Sequence, residues 1–243
     1  MSTPTPALSL RGLAVGHDTE PVVEAIDLDI PAGQWWALVG PNGCGKTTLL
    51  ETVAGKRPAL EGAIRIAGCD LDAEPRSARS ALGWVLSPAE LPPRLTGREL
   101  LSLFTALHHR DAPAGAVALL IEQWGFAPYL DMPVDRCSLG TRQKLGVLLA
   151  LVGEPRLLLM DESFNGLDPA SGLVLKSFLD DAVANARLSV LLATHALDLV
   201  ERHADAAVLI TRGRIRGRLG RDDLRANRGR LDERLAELAE AAD

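Results

Sequence analysis

The chain has 243 residues, enough for one large domain or a domain of two lobes, and 47% of them are hydrophobic, ample for a packed core. With 32 acidic against 26 basic side chains the formal net charge is −6, which excludes a general electrostatic grip on nucleic acid. No apolar run is long enough to cross a bilayer, residues 1–6 lack the basic start and apolar core of a secretory leader, and Cys44, Cys69 and Cys137 have no metal-ligand spacing, so the expected setting is reducing and cytosolic.

Residues 7–11 and 22–30 predict strands, the second from the alternation in Ala25-Ile26-Asp27-Leu28-Asp29-Ile30. The apolar run Trp35-Trp36-Ala37-Leu38-Val39 reads as a buried strand, and residues 47–54 after it read as a helix. Residues 60–66 and 83–86 predict further strands. Pro88, Pro92 and Pro93 then punctuate the chain, and apolar residues at helical spacing, Leu100, Leu103, Phe104 and Leu107 among them, follow from 96 to about 152. Beyond Pro155, residues 157–160 and 188–193 are short apolar runs typical of parallel strands covered on both faces. Arg212 to Arg218 reads as a hairpin with a solvated basic face. From Arg221 onward one amphipathic helix is expected, carrying Leu224, Leu231, Leu235 and Leu238. The expectation is an α/β core interrupted by a helical lobe: core about 1–87 and 153–220, lobe about 88–152, C-terminal helix 221–243.

Three stations along this chain carry chemistry. Gly40-Pro41-Asn42-Gly43-Cys44-Gly45-Lys46-Thr47 joins the 35–39 strand to a helix, so its backbone N–H groups and the helix start converge on one concavity suited to phosphates. Lys46 would reach the β- and γ-phosphates and the Thr47 hydroxyl would ligate Mg²⁺. Asp161 and Glu162 end the next apolar strand, at the edge where parallel sheets bind ligands. Asp161 can hold hydrated Mg²⁺ and Glu162 can orient an attacking water. By itself such a pair is more often a surface turn; beside a phosphate loop it reads as functional. His195 follows the 188–193 strand and can donate to a γ-phosphate there. Ser138 is a good N-cap for the apolar helix after it, a second phosphate-attracting helix start in the same chain.

The order of these stations resembles the nucleotide-binding subunit of ATP-binding cassette (ABC) transporters, over residues 8–219. Gly40 to Thr47, with Thr48 behind it, resembles the Walker A loop. Ser138-Leu139-Gly140-Thr141 stands where the LSGGQ signature does, residues 157–162 resemble Walker B with its glutamate, Asp168 closes a segment like the D-loop, and His195 resembles the switch histidine. The resemblance implies a P-loop NTPase fold: a mostly parallel sheet, an N-terminal antiparallel β portion and an inserted helical lobe. It also implies ATP and Mg²⁺ as cofactors and a head-to-tail pair in which the signature of one copy covers the ATP of the other. The partners would be a second copy or a paralogous subunit and a multi-span membrane permease, with no nucleic acid, at the cytoplasmic face of the membrane. The form Ser-Leu-Gly-Thr-Arg-Gln and the short tail point to export. The rival reading is a soluble ABC ATPase that remodels or scaffolds without moving a solute. Four positions depart from the pattern: Ser87 stands for the Mg²⁺-contacting Q-loop glutamine, Leu139 for a glycine, and Ser163 for a proline. His17 holds the place of the aromatic that stacks on adenine, and reads equally well as an idle turn residue.

Overall fold

The computed structural model describes residues 5–240 apart from 18, 113 and 114; residues 1–4, and residues 241–243 at the end of the expected C-terminal helix, lie outside the described residues. Two sheets form the framework. In the first, β1 (Leu8–His17), β2 (Glu20–Ile30), β4 (Glu61–Ile66) and β5 (Cys69–Asp70) run antiparallel in the order β2-β1-β4-β5. The alternation in 25–30 is realised: Ile26, Leu28 and Ile30 are buried while Asp27 and Asp29 face out.

The second sheet has the order β10-β9-β3-β8-β7-β6, built from β3 (Trp35–Val39), β6 (Leu82–Trp84), β7 (Leu157–Asp161), β8 (Ser189–Ala193), β9 (Ala206–Thr211) and β10 (Arg214–Gly220). All its pairings are parallel except β9 with β10. The apolar runs in β7 and β8 are continuous because both faces are covered. Leu157 and Leu159 enter the core shared with the antiparallel sheet and α1 (Lys46–Val53). Leu158 and Met160 enter the core on the opposite face, beneath the helices. Each leucine so buried contributes about 1.5–3 kcal/mol.

Between β5 and β6 lies the short α2 (Pro75–Ser80), a helix absent from the expected elements. The helical stretch from 96 to 152 resolves into α3 (Gly97–Leu107), α4 (Gly115–Gln123) and α5 (Leu139–Leu151), with two single 3₁₀ turns before α5. Thr96 starts α3 with a capping box to Glu99, and Gly125 follows α4 at a φ of 56°, which ends it. The later helices are α6 (Pro169–Ala184) and α7 (Leu197–His203).

The C-terminal segment differs from the single helix expected of it. It forms α8 (Arg221–Ala226) and α9 (Leu231–Glu240). The break falls at Gly229, whose φ is +80° and whose N–H donates to the Glu201 carboxylate at 3.0 Å. The turn lets Leu224 and Leu231 both reach the core beside β9. The arginine-rich hairpin is present, with Leu209 and Leu219 buried beneath it and Arg214 ion-paired to Glu24 at 3.7 Å.

Gly146, in α5, is where this helix meets the β6 side of the sheet: a Cβ there would stand 2.2 Å from the Leu86 carbonyl oxygen. Gly146→Ala gains up to about 1 kcal/mol of helix propensity. Overpacking against backbone costs about 1–3 kcal/mol and outweighs it. A lower urea midpoint with an unchanged m-value is the expected result.

Candidate active site

Strand β3 delivers the loop 40–45 at its C-terminal end, and α1 begins at Lys46. Gly45 caps the helix at φ 100°, and a Cβ on it would stand 2.2 Å from Val23 Cγ2, so only glycine fits this turn. The Lys46 side chain is buried and its ammonium donates to the carbonyls of Gly40 (2.7 Å) and Pro41 (3.0 Å), with Cys44 Sγ at 3.9 Å. The charge is thus satisfied by its own loop, poised under Asn42 and Gly43, which are exposed. The first turn of a helix has N–H groups without intrahelical acceptors, and here they open into a cleft of about 330 Å³. Its walls are His17, Val22, Asn42, Gly43, Gly45, Lys46, Thr47, Thr48, Asp161 and Glu162.

Residues distant in sequence meet at this edge. The Thr47 hydroxyl donates to Asp161 Oδ2 at 2.6 Å. Burial raises the Asp161 carboxyl above the ordinary range, against the lowering effect of that hydrogen bond. Glu162 takes a left-handed φ of 49°, a conformation that costs a residue with a Cβ about 1–3 kcal/mol. It is held there by its N–H to the Ala193 carbonyl (2.9 Å). Its carboxylate meets His195 Nδ1 at 2.8 Å and accepts from Thr194 Oγ1 (3.2 Å) and Asn165 Nδ2 (3.3 Å). Thr194 and Asn165 were not foreseen from sequence, since a strand-end threonine and a loop asparagine carry no signal until the strands are ordered.

Ser138, Leu139, Gly140 and Thr141 form the start of α5. Ser138 Oγ accepts the Thr141 N–H at 3.1 Å, the cap foreseen from sequence. Gly140 lies against the 163–168 segment, where a Cβ would approach the Gly166 carbonyl oxygen to 2.8 Å. Asp168 caps α6 by accepting the Ser171 N–H (2.9 Å) and hydroxyl (2.6 Å), and Lys144 of α5 stands 3.4 Å away. The two segments therefore make one tied unit. Leu139 is 55% exposed on it, and none of residues 138–141 lines the cleft at Lys46.

Ser87 and His17 sit differently from the rest. Ser87 does not line the cleft; it turns to Glu90, whose carboxylate accepts the Ser87 N–H at 2.8 Å and is ion-paired to Lys56. His17 does line it, beside Arg57, a residue that belongs to no motif.

A glycine loop between strand and helix, with an acidic pair on the neighbouring strand end of a mostly parallel sheet, defines a P-loop nucleoside-triphosphate-binding protein. The sequence matches the ABC transporter family over residues 23–165. It is 33% identical to the uncharacterized ABC transporter ATP-binding protein YdbJ of Bacillus subtilis, over 87% of this chain and 68% of that one. It is 32% identical to Nod factor export ATP-binding protein I of Sinorhizobium fredii, over 86% of this chain and 61% of that one. Among solved structures, an ATP-binding subunit of an ABC transporter superposes with a TM-score of 0.85 at 28% identity, covering 96% of this chain and 99% of the other. The chain belongs to the ABC transporter family, and its fold is that of the family's ATPase cassette.

The Asp168 carboxyl is held down to about 2, first by the Ser171 hydroxyl, then by the Ser171 N–H and by Lys144. A depressed carboxylate pKa means this cap stabilises the fold above the ordinary carboxylate range and is lost as pH falls toward 2. Carboxyl-carbon NMR should place the Asp168 titration near 2, moving upward in Ser171→Ala.

Proposed function

We propose that this chain binds and hydrolyses ATP as one half of a head-to-tail pair and that the pair drives a membrane-spanning partner, in the direction of export. One observation supports the pairing: the chain has two helix starts whose first-turn N–H groups could receive phosphate, yet residues 138–141 stay out of the cleft that Lys46 lines. A second copy, or a paralogue, turned head to tail would bring its Ser138 and the first turn of its α5 to the open side of this cleft. Leu139, exposed on that turn, and Asp168 behind it would meet the facing copy.

Within the cleft, Lys46 would exchange the carbonyls of Gly40 and Pro41 for β- and γ-phosphate oxygens, while the backbone from Gly43 to Thr48 cradles the chain of phosphates. The Thr47 hydroxyl and the Asp161 carboxylate, already in contact, present the hard oxygen donors that Mg²⁺ takes. With these two protein oxygens, phosphate and water would supply the remaining ligands, as is usual for this ion. When bound, Mg²⁺ would neutralise charge on the β- and γ-phosphates. Glu162, fixed by Ala193, Thr194 and Asn165, is placed to accept a hydrogen bond from the attacking water. His195 would orient Glu162 through Nδ1–H, and with both ring nitrogens protonated its Nε2–H could donate to the γ-phosphate.

No helix among the described residues is long and apolar enough to cross a membrane, so in a transport role the spans would lie outside these residues, in the reading proposed here on a permease subunit. The export direction rests on the name of the Sinorhizobium relative and on the Ser-Leu-Gly-Thr-Arg-Gln form of the signature. Glu162→Gln should lower ATP turnover by about 10²-fold or more, the scale of a lost general base. With MgATP it should accumulate as a dimer in sedimentation experiments. Lys46→Ala should abolish nucleotide binding. Turnover at the wild-type rate in Glu162→Gln would reject the role given to that carboxylate. Recovery of the wild-type chain in a purely soluble complex would favour the remodelling reading over transport.

A further inference from the structure

We propose that Arg57 is a positioning residue for base recognition, setting the His17 ring at the base end of the nucleotide cleft; this rests on the nucleotide reading above. Arg57 Nη1 lies 3.2 Å from His17 Nδ1, and His17 is a wall of the same cleft as Lys46 and Thr48. Guanidinium has donors and no acceptor, so the contact makes Nδ1 the acceptor and puts the ring proton on Nε2. The ring is thereby presented with a face for stacking and a single N–H donor at its free edge.

The guanidinium is not a loose surface charge. Its Nε donates to Glu51, a residue of α1 whose side chain is mostly covered, and Lys56 approaches the other oxygen of the same carboxylate at 3.8 Å. Glu51 lies five residues beyond Lys46 on one helix, about 7.5 Å along its axis at 1.5 Å per residue. The helix that begins at Lys46 is thus tied, through Glu51 and Arg57, to His17 on the wall of the same cleft. A lone histidine between Gly16 and the following turn would rotate between rotamers; braced by Arg57 it holds one orientation and one tautomer.

The test is calorimetric titration of MgATP and of magnesium tripolyphosphate, which lacks the base, into wild type, Arg57→Ala, His17→Ala and the double variant. Losing a hydrogen bond from a charged donor should weaken ATP about tenfold in Arg57→Ala, with tripolyphosphate unchanged. In the His17→Ala background the arginine change should add nothing, because it acts through that ring. Nitrogen-15 shifts of the His17 ring should show the Nε2–H form in wild type and both tautomers in Arg57→Ala. Equal ATP affinity in Arg57→Ala, a parallel loss of tripolyphosphate, or independent effects of the two substitutions would overturn the proposal. Wild-type protein that binds neither compound would bring down the nucleotide reading itself, and this inference with it.

Discussion

The ammonium of Lys46, folded back onto the carbonyls of Gly40 and Pro41, is the contact on which the rest of the structure turns. A buried lysine charge must be met by acceptors, or the group gives up its proton or the loop unfolds. Here the loop supplies them. That requirement forces the backbone of 40–45 into a tight cup, which only glycine at position 45 allows against Val23. Val23 belongs to β2, so the antiparallel sheet is needed to close the loop that the other sheet delivers. The two sheets enclose α1 through Leu49, Leu50 and Val53, which anchors the cup from beneath while Asn42 and Gly43 stay exposed.

A second consequence concerns how the acidic groups are held. Asp161 and Glu162 are neighbours in sequence but live in different surroundings. Asp161 is drawn into the sheet edge, where burial favours its neutral form, and the Thr47 hydroxyl opposes this. Glu162 has a left-handed backbone that β8 holds through the Ala193 carbonyl. Strain at Glu162 persists because three neighbours, Thr194, His195 and Asn165, over-determine its position.

The start of α5 and the 163–168 segment are held together by several contacts. Gly140 touches Gly166, Lys144 approaches Asp168, and Asp168 caps α6. A comparable ionic chain runs on the opposite flank, where Glu51 gathers Arg57 and Lys56, and Lys56 reaches the Glu90 that holds Ser87. Ser87 is thus bonded locally to Glu90 and does not line the cleft.

Much of this was legible in the residues alone. The alternation of 25–30 and the unbroken apolar runs of β7 and β8 fix strand type, since period two and two-sided burial leave those marks directly. The loop 40–47 and the Ser138 cap are local devices, determined by spacing within a few residues. The tertiary structure decided what depends on chain segments far apart. Strand order brought Asp161 to Thr47 and Thr194 to Glu162, and the packing of the first sheet set Arg57 beside His17. It also bent the tail at Gly229, because Glu201 waits there for its N–H and two leucines need separate seats in the core. Local conformation is encoded by neighbours along the chain; contacts between distant side chains exist only once burial has chosen which faces meet.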